Sequence, residues 1–125
     1  MASILLVEPD RIQAALYAEA LKRDKHQTIL VRTAAQAVTA LDLNHIELII
    51  LELNLATHNG IELLYELRSY SDWQAIRVIL HTTVRPKLLH APALKQLGVS
   101  KVLYKPATAL DELRSSVQSL LQSVA

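Results

Sequence analysis

The chain of 125 residues contains no cysteine, which excludes disulfide bonds, thiolate metal sites and thiol catalysis. It also lacks long apolar runs, and the longest are far too short to cross a bilayer. The N-terminal run from Ile4 to Val7 is followed at once by Glu8, unlike the apolar core of a secretory signal. We therefore expect a cytoplasmic protein that does not contact a membrane.

An excess of charge of one sign is also missing. Thirteen lysines and arginines stand against twelve aspartates and glutamates, a formal net charge of +1. The basic residues are scattered along the sequence, so we expect no binding of nucleic acid by this domain. No repeat, linker or low-complexity segment divides the chain. With 51% hydrophobic residues, residues 1–125 are predicted to form a single domain around its own core.

Short apolar runs alternate with segments of helical period, a pattern that predicts repeated strand–helix units. The predicted strands are Ser3–Val7, Thr28–Val31, Glu47–Glu52, Ile76–His81 and Lys101–Tyr104. The predicted helices are Asp10–Arg23, Ala34–Leu41, Ile61–Tyr70, a segment ending at Leu97, and Thr108–Val124. The third and fourth strands are almost continuously apolar, as expected for parallel strands covered by helices on both faces. We predict an α/β fold, a doubly wound sheet of parallel strands.

Individual helices carry more specific expectations. In the first helix, Ile12, Leu16 and Ala20 fall on one stripe, and the last helix has an apolar stripe that ends at Val124. Two prolines, at positions 86 and 92, predict that the fourth helix is short or kinked. Near it, three leucines are candidates for exposed apolar contacts: Leu88, Leu89 and Leu121.

The five histidines and the single tryptophan are expected to have structural roles. No pair of histidines has the spacing of a metal site, and we predict no metal ligand among His26, His45, His58, His81 and His90. His81 precedes Thr82 on a strand and is expected to point to the opposite side as a packing residue. Trp73 is expected to cover the edge of the core.

Polar residues stand where four of the predicted strands end. Glu8, Glu52, Thr82 and Lys105 follow or close the first, third, fourth and fifth strands. Because ligands of doubly wound sheets bind beyond the carboxyl ends of the strands, these four side chains are expected to converge. Two carboxylates, a hydroxyl and an ammonium suit the binding or transfer of a phosphoryl group.

With these residues, the sequence resembles the receiver domain of bacterial response regulators over nearly its whole length. Receivers place an acidic pair after the first strand, the phosphorylated aspartate after the third, threonine or serine after the fourth, and Lys-Pro after the fifth. Glu8, Thr82 and Lys105-Pro106 match this pattern, and Asn59-Gly60 and Gly98 fall where the family has an Asp-Gly turn and a glycine. The resemblance implies a flavodoxin-like, CheY-like fold and a role in two-component phosphorelay signal transduction.

Four positions depart from the family pattern. The second acid of the pair, a direct magnesium ligand in receivers, is Pro9, and the phosphoacceptor position holds Glu52. The aromatic switch residue of the fifth strand is replaced by Val102, and the proline after the third strand by Ala56. Tyr104 shares the face of Val102 and is a weaker candidate for an exposed aromatic contact.

These departures predict that the phosphorylation chemistry is lost. Proline supplies no carboxylate, and Asp10 is expected to interact with the positive end of the first helix instead of a metal. Glu52 adds a methylene that displaces its carboxylate by about 1 Å, which costs roughly a hundredfold in a reaction that needs tight alignment. The remnant acidic pocket of Glu8, Pro9 and Asp10 is therefore expected to bind Mg²⁺ weakly or not at all, and we predict no other cofactor.

Two interpretations of Glu52 remain open from the sequence. Glu52 either forms only a partly buried ion pair with Lys105, or it reaches the position that a phosphoryl group would occupy and fixes the domain in one of its two signalling states. Three functions also stay open: a phosphorylation-independent interaction or dimerisation module, a working receiver with altered metal ligands, and a phosphohydrolase. We favour the first, which is not an enzyme. Its partner would be an output domain, another signalling protein or a second copy of the chain.

Overall fold

The structure is a computed structural model that describes residues 2–55 and 59–122. The predictions on Ala56, His58 and Val124 lie outside these residues. The strands are β1 (Ser3–Val7), β2 (Gln27–Val31), β3 (Leu48–Leu51), β4 (Arg77–Thr82) and β5 (Val99–Tyr104). The helices are α1 (Arg11–Arg23), α2 (Ala34–Leu43), α3 (Gly60–Ser69), α4 (Ala91–Gln96) and α5 (Leu110–Gln122). All predicted strands and helices are present, with boundaries that differ by a few residues.

The strands form one parallel sheet in the order β2-β1-β3-β4-β5. This is the strand order of flavodoxin-like doubly wound folds, and it confirms the predicted architecture. The order reverses between β1 and β3, which lie side by side at the centre. The carboxyl ends of these two strands, and of β4 beside them, therefore open on one crevice.

The core has two halves because successive strand residues point to opposite faces of the sheet. Leu5 and Val7 of β1 pack with α2, α3 and α4 on one face. Ile4 and Leu6, which alternate with them, pack with α1 and α5 on the other. Helices on both faces explain why β1, β3 and β4 are apolar along nearly their whole length.

The stripe predicted for α1 is wrong. Ile12 and Leu16 are 84% and 54% exposed, whereas Ala14, Tyr17 and Leu21 face the sheet. The true stripe has the same helical spacing, so periodicity alone did not distinguish the two. Ala20 is buried, at the margin of the true face.

The segment between β4 and β5 is remodelled by its prolines, as predicted. A 3-10 turn, Pro86–Leu88, precedes α4, which is only six residues long and has Pro92 in its first turn. Leu88 is 71% exposed, as expected for an apolar contact residue. Leu89 and Leu121 are partly buried and pack against the core, so Leu88 is the most exposed of the three.

Trp73 is buried at the edge of the core and packs on the ring of Tyr70, in agreement with its predicted role. Within residues 2–55 and 59–122, we find no helix with the length and apolar character required to span a bilayer.

Candidate functional site

The ends of the central strands bring together the four polar side chains that the sequence predicted to converge. Glu8 follows β1, Glu52 follows β3, Thr82 is the last residue of β4, and Lys105 follows β5. Backbone hydrogen bonds continue the sheet past β1 and β3, from Glu8 N–H to Val31 O and from Glu52 N–H to Val7 O, each 3.0 Å. The carboxylates are therefore placed by the sheet itself and not by flexible loops.

Lys105 joins the two acids. Its Nζ lies 2.5 Å from Oε1 of Glu8 and 2.9 Å from Oε1 of Glu52. All three side chains are at most 9% exposed. Removing such charges from water is costly unless they are paired, and here two negative charges share one positive charge.

Glu52 accepts further hydrogen bonds that complete its coordination. The hydroxyl of Thr82 donates to Oε2, which also accepts the backbone N–H of Asn54 at 3.1 Å. Oε1 accepts the backbone N–H of Thr83 at 3.0 Å and faces its hydroxyl at 3.3 Å. Hydroxyl, ammonium and backbone N–H groups thus surround one carboxylate, as they would surround an anionic ligand.

These contacts keep the pair charged at neutral pH. Burial alone would raise the pKa of the Glu52 carboxyl, but hydrogen bonds from Thr82, Lys105 and Asn54 outweigh burial and hold that pKa below its usual value. Burial would likewise lower the pKa of Lys105, but its bonds to Glu8 and Glu52 raise it above the usual value. Glu52 is therefore an anion and Lys105 a cation.

Pro9 and Asp10 lie beside this cluster, and neither contributes a side chain to it. The Asp10 carboxylate caps α1 by accepting the N–H of Gln13 at 2.9 Å, as expected from its charge near the helix start. Its own N–H donates to Oε2 of Glu8 at 3.0 Å. The carbonyl of Pro9 accepts Nε of Arg32 at 3.1 Å.

Comparison with known proteins identifies the family. The family model described as the response regulator receiver domain matches residues 4–118. The chain belongs to the receiver domain family of two-component response regulators. No curated protein sequence matches this chain.

Solved structures of receiver domains are similar to this chain over nearly its whole length. The signal receiver domain of a signal transduction histidine kinase from Syntrophus aciditrophicus is 30% identical, with 99% of this chain and 92% of that chain covered and a TM-score of 0.86. The Mn²⁺-bound form of response regulator Rcp1 is 28% identical, with 100% and 98% covered and a TM-score of 0.81. The non-phosphorylated HemR receiver domain from Leptospira biflexa is 21% identical, with 100% and 98% covered and a TM-score of 0.87, and it shows the fold alone.

The residues at the receiver's acidic pocket do not fit a magnesium ion. Mg²⁺ needs oxygen ligands in near-octahedral geometry, usually one or two carboxylates with waters or phosphate. Here Lys105 contacts an oxygen of both Glu8 and Glu52, and its positive charge opposes a second cation at the same place. Among residues 2–55 and 59–122, no group of three or more His, Cys, Asp or Glu side chains is placed to hold a metal ion.

The other receiver positions lie close by. Pro106 is the middle residue of the 3-10 turn Lys105–Ala107, which turns the chain away from β5 and leaves Lys105 pointing into the crevice. Val102 is 37% exposed on the edge strand β5. Tyr104 is half-buried and pairs in register with Thr82.

His81 points to the opposite side of β4 from Thr82 and packs against Tyr17, with ring centroids 4.8 Å apart. Burial, helped by the nearby charge of Lys105, lowers the pKa of its imidazole to about 4. It is therefore a neutral packing residue in the receiver, as the sequence predicted.

Sequence reasoning missed Asn54 and Thr83. Both contribute backbone N–H groups, which any residue except proline supplies, so residue type gives no signal. Their positions, within three residues of the ends of β3 and β4, are the only clue in the sequence.

Proposed function

We propose that this receiver signals without being phosphorylated, through contact with a protein partner, and that Glu52 replaces the phosphorylated aspartate as a permanent anion. One observation carries the proposal: the Glu52 carboxylate accepts hydrogen bonds from both Thr82 and Lys105. These are the groups that the family resemblance assigns to the phosphoryl oxygens. In this chain they are already occupied by a side chain.

The same contacts oppose transfer of a phosphoryl group to Glu52. A nucleophilic carboxylate oxygen must approach phosphorus in line, with the donor oxygen leaving on the opposite side. Oε1 is engaged by Lys105 and Thr83, and Oε2 by Thr82 and Asn54, so either oxygen would have to release its donors first. The developing negative charge would also lie near Glu8 without a divalent cation to neutralise it.

Glu52 therefore combines the two interpretations that the sequence left open. It is an ion-pair partner of Lys105, and it also reaches the hydroxyl of Thr82 and the backbone N–H of Thr83. A simple ion pair needs only the first contact. The additional donors favour a side chain that holds the end of β4 in one fixed position, and we propose that this position is the signalling state of the domain.

Because both oxygens of Glu52 are engaged by donors and Lys105 takes up the acidic pocket, we assign the domain no catalytic activity. A working receiver with altered ligands is the second candidate, and its support is the retention of Glu8, Thr82 and Lys105 in one crevice. A phosphohydrolase would place two aspartates as Asp-x-Asp after a strand, and Glu52-Leu53-Asn54 is a poor match.

The test is a titration of ¹⁵N-labelled protein with beryllofluoride, a phosphoryl analogue, in the presence of Mg²⁺. We expect no change in the amide signals of Asn54 and Thr83, which report directly on Glu52. Aluminium-free fluoride with Mg²⁺ alone serves as the blank. Saturable shifts at these two amides that require both beryllium and Mg²⁺ would instead support the working receiver.

A further inference from the structure

The charges of the chain are unevenly distributed despite their near balance. No acidic residue occurs between Asp72 and Asp111, whereas this stretch contains six lysines and arginines. They are Arg77, Arg85, Lys87, Lys95, Lys101 and Lys105. The last is paired inside the crevice, but the four from Arg85 to Lys101 are exposed and form no ion pair within the described part of the chain. The region around α4 and β5 is therefore a basic surface.

An apolar groove lies beside this surface, between α3 on one side and the Pro86–Leu88 turn with α4 on the other. Its volume is about 270 Å³. Tyr65 of α3 and Leu88 of the turn stand on its opposite sides and are 60% and 71% exposed. The floor is formed by side chains that also belong to the core or pack on it: Ile61, Val84, Leu94 and Leu97.

The acidic residues of α3 point away from the groove. Ile61 and Tyr65 line it, whereas Glu62 and Glu66 line a separate cavity with Ala34 on the side of α2. On the opposite side of the groove, Arg85 directly precedes the turn and Lys87 lies within it next to Leu88, and His90 is part of the lining. The charge near the groove is thus positive.

We propose that this groove binds an acidic amphipathic helix of a partner protein. The inference rests on the proposed function, in which the domain acts through protein contact, and it names the chemistry of the partner. Acidic side chains on such a helix would meet Arg85 and Lys87 while its apolar residues contact Tyr65 and Leu88.

The shape of the groove favours a helix over other occupants. Its volume is below the roughly 300–1,000 Å³ of small-molecule sites. Helices and a 3-10 turn form its two sides, so an extended peptide finds no free strand edge with which to pair. Tyr65 and His90 are the aromatic rings among its described lining, whereas single-stranded nucleic acids need a series of stacking side chains along a basic path.

The groove is connected to Glu52 through a short chain of hydrogen bonds. Thr82 donates to Glu52 and accepts the backbone N–H of Val84 at 3.1 Å, and Val84 lines the groove. Leu53, which directly follows Glu52, also lines it. The permanent anion therefore holds one wall of the groove in place without any phosphate.

The experiment is a selection of phage-displayed random peptides of about 16 residues, roughly four helical turns, on the immobilised protein. We expect enriched peptides to carry net negative charge with apolar residues at positions i, i+3 or i+4, and i+7. Their affinity, measured by fluorescence anisotropy, should fall about tenfold in Leu88→Ser and in the double variant Arg85→Glu with Lys87→Glu. Circular dichroism confirms that each variant is folded.

Matched control variants exist elsewhere on the surface. Leu43 of α2 is 77% exposed, so Leu43→Ser is the same change at a leucine that is similarly exposed. Arg11→Glu with Lys22→Glu reverses two exposed charges on α1. Neither should change peptide affinity.

Several outcomes would overturn the inference: no enriched family of peptides, enriched peptides without negative charge, equal losses in Leu43→Ser and Leu88→Ser, or tighter binding of a mixed-sequence single-stranded oligonucleotide to the same residues. None of these results bears on the beryllofluoride titration, in which we still expect no shift at Asn54 and Thr83. A response to beryllofluoride would contradict the proposed function even where acidic peptides bind, so the two failures can be distinguished.

Discussion

Lys105 Nζ lies 2.9 Å from Oε1 of Glu52, and both side chains are at most 9% exposed. Glu8 shares the same ammonium at 2.5 Å. In this receiver the positive charge between the two acids is therefore part of the protein, at the place where the family resemblance implies a divalent cation. The stability and the ion binding of the domain should both depend on it.

Replacement of Lys105 by methionine should strongly destabilise the domain. It leaves Glu8 and Glu52 buried without a counter-charge, and breaking a buried pair costs about 3–5 kcal/mol. The loss in the free energy of unfolding, measured with urea at neutral pH, should shrink as the pH is lowered and the Glu52 carboxyl takes up a proton.

Arg114→Met is the matched control. Arg114 pairs with Asp24 at 2.7 Å, but its side chain is 35% exposed. An ion pair open to solvent contributes little, so this variant should remain close to the wild type. Equal losses in the two variants would contradict the role given to Lys105.

Thr82→Val should destabilise the domain by about 1–3 kcal/mol because it leaves buried polar groups without partners. The hydroxyl donates to Glu52 and accepts the N–H of Val84, and Thr82 is fully buried. Valine preserves the shape and removes both bonds. Thr82→Ser keeps the hydroxyl and should be clearly more stable than the valine variant by urea unfolding; the opposite order would refute this account.

Stability should fall between about pH 6.5 and pH 4 because of His81. The folded protein holds the pKa of this imidazole at about 4, against 6.5 for an exposed histidine. In this window the unfolded chain binds a proton that the folded chain does not, so the free energy of unfolding decreases as the pH falls. Across the whole window, the free energy of unfolding should decrease by about 3 kcal/mol.

His81→Phe removes this titration and keeps a ring against Tyr17. Its thermal unfolding should therefore depend less on pH across the same window. Parallel curves for the variant and the wild type would rule out His81 as the source. Glu52, whose pKa is lowered, contributes stability that is lost only at lower pH, as the pH falls through its folded pKa.

The double variant Pro9→Asp with Glu52→Asp should gain Mg²⁺ binding. It restores a carboxylate at position 9 and shortens the acid at position 52, which frees space near Lys105 and Glu8. Isothermal titration calorimetry with Mg²⁺ should give binding heat for the double variant and none for the wild type. If the double variant does not bind Mg²⁺, then Pro9 and Glu52 are not the reason why the pocket fits this ion poorly.

The convergence of Glu8, Glu52, Thr82 and Lys105 was predictable because parallel strands put their carboxyl ends at one edge of a sheet. Only residue type and strand position were needed. The detailed coordination of Glu52 was not predictable, since the N–H groups of Asn54 and Thr83 depend on the path of the chain after each strand. Backbone groups carry no residue-specific signal.

The exposed face of α1 shows a second limit. Ile12 and Leu16 have the spacing of a core stripe, and so do Ala14, Tyr17 and Leu21. Only tertiary packing decides which set is buried, and Tyr17 is held by its contact with His81 of β4. The groove beside Leu88 was not predictable from the sequence for a similar reason, because the residues of its two sides lie far apart in the chain.

The most direct test of the central claim is the intact mass of the protein after incubation with acetyl phosphate and Mg²⁺. We expect an unchanged mass, because Glu52 is held by Thr82, Thr83, Asn54 and Lys105 and does not accept a phosphoryl group. A mass increase of one phosphoryl group, lost in Glu52→Gln, would contradict it.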